Sequence, residues 1–202
     1  MLVRLKRSGK QDKNMSTPIK PYQLRHRIAL EQDIPALVEL MQLSIAENMK
    51  EFLSAAEIEA AKESMGVDKT LIADGSYFVI EAVVDGKAVL VGCGGWGQRR
   101  TLYGGMHTAG RDDSFSDPAT EAARIRAMYT HPAWTRKGIG SLLLALGEQA
   151  ARAAGFKRIE LGATVAGAPL YIAKGYVEIG RVHTAGANGA GNLVIKMTKS
   201  LV

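Results

Sequence analysis

Cysteine is nearly absent: the single Cys93 has no partner for an internal disulfide, and no Cys or His stands beside it at ligand spacing, so neither a disulfide framework nor a zinc site is expected. No apolar run approaches the ~20 residues that cross a bilayer, and the basic N-terminus lacks the apolar stretch and small-residue cleavage site of a secretory signal. There is no internal repeat. These absences set aside membrane-spanning and disulfide-stapled secreted classes and give the expectation of a cytoplasmic protein with no metal and no membrane partner.

Net charge is scarce where the sequence is patterned. The net charge is +6, but residues 1 to 18 carry Arg4, Lys6, Arg7, Lys10 and Lys13 against Asp12, which leaves +2 for the remaining 184 residues. A nearly neutral body gives no electrostatic footprint for nucleic acid, so no nucleic-acid partner is expected. The basic stretch 1–18 reads as a disordered tail. Met15 is a candidate start, which would make the preceding residues an extension, and a short organellar targeting peptide is the alternative. With 202 residues and 47% hydrophobic composition, the rest, 19–202, is long enough for one sizeable core.

The periodicities alternate between strand and helix. Tyr22 to Ile28 reads as a strand, and Asp33 followed by Ile34, Leu37, Val38, Leu40 and Met41 as a capped amphipathic helix. Ser54-Ala55-Ala56-Glu57 has the capping-box pattern, which predicts a second helix to about Met65 that stops at Gly66, with a helical turn near 67–73 after it. Tyr77 to Val84, Asp85-Gly86 and Ala88 to Val91 form a hairpin signal. Residues 97–120 lose periodicity and gain Gly, Arg, Asp and Ser, the composition of a long loop, with a substrate-facing role as its candidate function. A strand over 122–130 leads through His131-Pro132 and a glycine turn into a helix closed by Gly155. Then come a strand over 157–163, a short helix over 168–174 and closing strands near 176–183 and 193–198. This order predicts an α/β fold with a mixed central sheet and helices packed on it.

The glycine turn, Thr135-Arg136-Lys137-Gly138-Ile139-Gly140-Ser141, is the most informative segment. A helix entered through glycines leaves its first N–H groups unpaired along the axis, with no side chain to hold an anion away, which makes a candidate pyrophosphate cradle. Several N–H contacts at about 1.5 to 3 kcal/mol each outweigh a helix dipole at about 0.3 to 2 kcal/mol. A Gly-x-Gly turn also serves as a tight corner, and both a Rossmann fingerprint and a P-loop would need residues that this segment lacks.

The segment resembles the acyl-CoA-binding motif of the GNAT superfamily, Gln/Arg-x-x-Gly-x-Gly/Ala after a strand and a Pro-containing turn. Leu170-Tyr171-Ile172-Ala173-Lys174-Gly175-Tyr176 is similar to the family's Leu-Tyr-x-x-x-Gly-Phe signature, and the order of elements from 20 to 199 agrees. One departure stands at Thr135, where the motif has Gln or Arg. The resemblance implies a single-domain GNAT acyltransferase fold with helices on both faces, acetyl-CoA as cosubstrate and a primary amine as acceptor, either a small molecule or a peptide. It further implies that Met128, Tyr129 and Thr130 meet the pantetheine arm, that Arg136, Lys137, Gly138, Ile139, Gly140 and Ser141 hold the pyrophosphate, and that Thr164 joins the cofactor set. A homodimer is a further expectation.

For the chemistry, the resemblance makes Tyr171 the candidate general acid for the departing thiolate, the alternative being a tyrosine that anchors its short helix. An alkyl amine near pKa 10.4 is neutral in about 1 molecule in 2,500 at pH 7, so deprotonation costs about 4.6 kcal/mol. The strand position at which some relatives place a glutamate is Arg124, which cannot serve as a base. Glu121 and Glu81 are the nearest candidates. Arg124, Arg126 and Met128 alternate onto one strand face, so the two guanidiniums are candidates to bind a substrate carboxylate or to depress the amine pKa, or else to make structural ion pairs. Trp96 and Tyr103 flank the long loop as candidate pocket residues, and core packing is the other reading. His107 and His131 read as loop or turn histidines, and Cys93 as a buried strand residue. A non-catalytic acyl-CoA sensor is the alternative function, and nucleic-acid binding would rest almost wholly on the tail.

Overall fold

The computed structural model describes residues 22–103, 112–185 and 189–202. The basic tail 1–18 and His107 lie outside these residues.

The hydrophobic residues of the first helix recur at three- and four-residue spacing, and α1 (Ile34–Asn48) accordingly buries Leu37, Leu40, Met41, Ser44 and Ile45. Asp33 does not cap it with its side chain. Its carboxylate instead accepts from the Leu30 N–H at 2.8 Å and pairs with Arg27 at 2.6 Å, which ties the helix start to the first strand, β1 (Gln23–Ile28). Ser54 and Glu57 form the capping box expected of them, with the Ser54 N–H donating to the Glu57 carboxylate at 2.8 Å at the head of α2 (Ala55–Ser64). The short α3 (Lys69–Ala73) comes next.

The strands β2 (Tyr77–Val84) and β3 (Lys87–Gly97) pair as the predicted hairpin, turning at Asp85 and Gly86 with φ of 49° and 77°. Part of the long loop is more regular than its composition suggests. Its two arms pair through Arg100 N–H to the Ser114 carbonyl (3.0 Å) and Thr101 N–H to the Asp112 carbonyl (2.9 Å). The second half supplies β4 (Ala123–Thr130), α4 (Ile139–Ala153), β5 (Arg158–Ala163), α5 (Ala168–Ala173), β6 (Val177–Ala185) and β7 (Gly191–Ser200).

All seven strands join in one sheet of order β1-β2-β3-β4-β5-β7-β6, antiparallel except between β4 and β5. On one face, α1 and the segment from α2 to α3 cover a core that contains Tyr77, Cys93 and Tyr129. On the other, α4 and α5 cover cores around Ile125, Leu161, Ile80 and Ile139. The helix α4 sits close to the sheet, since a Cβ on Gly92 of β3 would collide with the Ile139 side chain.

Two irregularities in β4 open the sheet and set the direction of its side chains. Its parallel pairing with β5 lasts only from Ala123 to Ile125, opposite Ile159 to Leu161, after which the strands part. Its pairing with β3 carries a bulge, in which Cys93 and Gly95 face Tyr129 and Arg126 with one residue too many on β4. Ala127 absorbs the extra residue with φ of 50°, a left-handed conformation costly for alanine.

Candidate functional site

Parted strands leave a space between them, and here it is a cavity of about 480 Å³. One wall is β4 from Ile125 to Tyr129. Opposite lie Leu161 to Ala166 at the end of β5, with Tyr171 of α5, and the remaining sides come from the α1–α2 region, Leu102 and Tyr103 of the long loop, and Asn192 to Val194 of β7.

The bulge decides which β4 side chains face which way. Arg126, Ala127 and Tyr129 all turn toward the helices α1 to α3: Arg126 meets Asp68, and Ala127 and Tyr129 belong to the core on that side. Met128 turns to the α4 side, where it packs in the other two cores. The expectation that Arg124, Arg126 and Met128 share one face is therefore corrected, because a residue inserted at Ala127 reverses the alternation beyond it.

Several expected residues line the cavity: Tyr103, Arg126, Met128, Tyr129, Thr164 and Tyr171. Thr164 also holds the head of α5, its hydroxyl and carbonyl each accepting from the Gly167 N–H at 3.1 Å. Tyr171 is partly buried against Tyr176, their ring centroids 5.9 Å apart, and its hydroxyl lies 3.9 Å from the Met128 sulfur. Burial pushes the Tyr171 phenol up to about 12.

Other expected residues are placed elsewhere. Trp96 packs in the core against Phe156, ring centroids 6.3 Å apart, because its strand position faces α4. Glu121 is drawn to Arg100 at 2.8 Å and accepts from the Asp117 N–H at 2.7 Å, and these bonds hold its carboxyl down to about 2. Glu81 pairs with Arg27 at 3.1 Å on the outer part of the sheet. Neither carboxylate lines the cavity. Arg124 pairs with Glu160 at 3.3 Å and donates to the Ala122 carbonyl at 2.8 Å, also outside it. Arg126 does line the cavity, but its guanidinium is engaged with Asp68 at 2.9 Å and with the Thr101 carbonyl at 2.8 Å. The backbone of Thr130 is engaged as well: its N–H donates to Ser44 Oγ at 3.3 Å and its carbonyl accepts from Asn48 at 2.8 Å. Met128 belongs to neither strand register.

The glycine turn behaves as its sequence suggests. After a 3-10 turn, Pro132–Trp134, the backbone passes through left-handed Arg136 (φ 59°) and Gly138 (φ 92°) into α4. The first bond of the helix runs from the Leu142 N–H to the Gly138 carbonyl at 2.9 Å, and among the described residues no carbonyl accepts from the N–H groups of 136–141. A Cβ on Gly138 would meet nothing within 4 Å, so no neighbouring group fills the space beside the glycine. The Lys137 side chain turns away, its ammonium over the Trp134 ring at 4.5 Å and donating to the Ala133 carbonyl at 2.9 Å. The first turn of α4 also abuts α5, since a Cβ on Gly140 would stand 2.7 Å from Leu170 Cδ2, and the cradle and Tyr171 are thereby held in one frame.

His131 caps the 3-10 turn by accepting from the Ala133 N–H at 3.2 Å, and Cys93 is fully buried beside Tyr77, which pushes its thiol up to about 12. No helix among the described residues is long and apolar enough to cross a membrane.

The sequence profile of the acetyltransferase (GNAT) family matches residues 38–171, a span that runs from α1 through the cradle to Tyr171. The chain belongs to this family. It is an acetyl-CoA-dependent acyltransferase. Solved structures of the same fold include a GCN5-related N-acetyltransferase from Rhodopseudomonas palustris, 21% identical with a TM-score of 0.61, over 87% of this chain and 94% of that one. A putative acetyltransferase, YncA, from Salmonella typhimurium, solved with its cofactor acetyl-CoA, is 20% identical with a TM-score of 0.57, over 89% and 95% of the two chains. The PaiA N-acetyltransferase from Thermoplasma acidophilum, in complex with coenzyme A, is 16% identical with a TM-score of 0.56, over 88% and 99%. No curated protein matches the sequence.

Proposed function

We propose that this acyltransferase moves an acetyl group from acetyl-CoA to a primary amine by direct attack, with Tyr171 as the general acid. The observation that supports the reading is Tyr171 among the residues that line the cavity between the parted strands, on a helix braced against the glycine turn.

The residues suit the cosubstrate. The N–H groups from Arg136 to Ser141 would take the pyrophosphate, with Lys137 contributing backbone rather than its ammonium, and Met128 offers backbone groups outside both strand registers. Thr130 has its groups committed to α1, which leaves Met128 the principal contact on β4. Bound acetyl-CoA supplies an activated acetyl carbonyl. The nitrogen of the neutral amine forms the new N–C bond and the C–S bond breaks; one proton passes from the nitrogen to water, the sulfur takes one from Tyr171, and the phenolate regains its proton from solvent. A phenol pushed up to about 12 donates poorly to a thiolate in water, where thiols ionise near 8.5. Desolvation narrows the mismatch, since a thiolate shielded from water gains proton affinity for the same reason as the buried phenol.

Calorimetry with acetyl-CoA, with ATP as a control, tests the cradle, and turnover tests the acid. Tyr171→Phe is expected to lower kcat about 100-fold or more while acetyl-CoA affinity stays within about twofold. Wild-type turnover in that variant removes Tyr171 from the chemistry, and saturable acetyl-CoA binding without transfer to any amine of a broad panel favours a sensor.

A further inference from the structure

On the face of β4 that meets α1 to α3, one buried side chain joins two parts of the cavity wall. The Arg126 guanidinium donates through Nη1 to the Thr101 carbonyl at 2.8 Å, and its Nη2 pairs with the Asp68 carboxylate at 2.9 Å. The two side chains of the pair are 5% and 4% exposed, so it is held away from water. Asp68 stands at the head of α3, where its other oxygen accepts from the Thr70 N–H at 3.1 Å, and Met65 and Gly66 just before it line the cavity. Thr101 is buried in the long loop, and the residues that follow it, Leu102 and Tyr103, line the cavity as well.

This arm of the loop crosses the opening between the parted strands. Thr101 is fastened to Arg126 of β4, whereas Tyr103 lies against β5, since a Cβ on Gly162 would stand 3.1 Å from Tyr103 Cβ. The bonds between Thr101 and Asp112 shape the loop but tie it only to itself. Arg124 also reaches the arm, at the Arg100 carbonyl, over a longer 3.4 Å and in an exposed position. Arg126 makes the short, buried contact. Dehydrating two charges commonly costs more than burying a hydrocarbon pair of the same size, so stability does not account for an arginine here. Geometry does, because a planar fork bonds two acceptors at a fixed spacing and an ammonium on a flexible stem does not.

Resting on the transfer reading above, we infer that Arg126 is a positioning residue for the amine: its fork holds residues 101–103 across the opening and so fixes Leu102 and Tyr103 against the acceptor. Its guanidinium is already engaged by Asp68 and Thr101, and its effect on the amine passes through the loop. The N–H groups of 136–141, assigned to the pyrophosphate, lie outside this tie.

Removing the arginine alone strands a buried carboxylate and is expected to impair folding. The deciding variant is therefore Arg126→Met combined with Asp68→Asn, which removes both charges and keeps an oxygen for the Thr70 N–H. Arg126→Lys is compared with it. The readouts are Tm, acetyl-CoA affinity by calorimetry, hydrogen exchange over residues 98–103, and kcat and KM for the best acceptor in a panel of phenethylamine, hexylamine, cadaverine and alanyl peptides. The double variant is expected to keep Tm within about 4 °C of wild type and acetyl-CoA affinity within about twofold. Exchange over 98–103 should quicken while β2 and β3 keep theirs, and the amine KM should rise about tenfold with kcat within about threefold. Arg126→Lys should fold like wild type and still show a raised KM. Unchanged exchange and KM in the double variant overturn the inference. So does a KM that follows Tm across the variants or returns fully with lysine, since either marks a structural role alone. Wild-type protein that binds acetyl-CoA and acetylates nothing in the panel instead brings down the transfer reading, and the amine's part of the inference with it.

Discussion

The Tyr77 hydroxyl donates a 2.7 Å hydrogen bond to the carbonyl of Ala127, reaching from the fully buried floor of β2 to the inserted residue of the β4 bulge. Ala127 is held at φ 50°, and the bond fixes the one peptide whose reorientation would let β4 return to plain alternation. A buried core tyrosine thus sets the shape of the cavity wall from behind.

Removing that hydroxyl should loosen the bulge. Tyr77→Phe is expected to cost about 1 to 3 kcal/mol of stability, read by urea unfolding, because the carbonyl loses its donor. Activity should fall further than the unfolded fraction explains, through Met128 and Arg126. A variant as active and as stable as wild type would show that the bulge holds itself.

The anion cradle makes a cleaner separation of folding from binding. Gly138 has φ 92° and open space where a Cβ would stand, so Gly138→Ala strains the backbone without a clash inside the chain. The expected loss is about 1 kcal/mol, or a Tm lower by about 2 to 4 °C. Acetyl-CoA affinity should drop about tenfold or more, since the methyl enters the space assigned to the pyrophosphate. Unchanged affinity by calorimetry would move the phosphate site elsewhere.

The tyrosines give a pH signature. Tyrosine in the unfolded chain ionises near 10, whereas Tyr171 ionises near 12 in the fold. The unfolded chain therefore releases its proton first, and stability should decline as pH rises from about 10 toward 12. Buried Tyr77 and Tyr129, also raised by desolvation, add to the decline. Tyr171→Phe should soften it, as read by Tm between about pH 8 and 11.5, and parallel curves for the two proteins would contradict the burial of the phenol. Turnover should show no loss from Tyr171 ionisation below about pH 10.

The element order is legible in the sequence because its signals are local. The Ser54–Glu57 box, the Asp85-Gly86 turn and Gly155 behind α4 each act within a few residues, and each folds as its pattern predicts. The glycine entry into α4 is legible for the same reason. The bulge is not, because Ala127 has no preference for a left-handed backbone, and what holds it there is Tyr77, 50 residues away. Strict alternation therefore groups Met128 with the two arginines. The arginines themselves carry no sign of their partners, Asp68 and Glu160, which the fold brings from other elements.

The three-residue parallel pairing of β4 with β5 has an implication for how the molecule comes apart. It is the shortest seam in the sheet, and it divides a hairpin-based half from a half made of β5, β6 and β7, with α4 spanning the gap like a splint. Amide protons along the free end of β4 should exchange before those of β2 and β3. A cosubstrate wedged into the opening would act as a rivet, slowing exchange on both sides and raising the melting temperature as its concentration passes its dissociation constant.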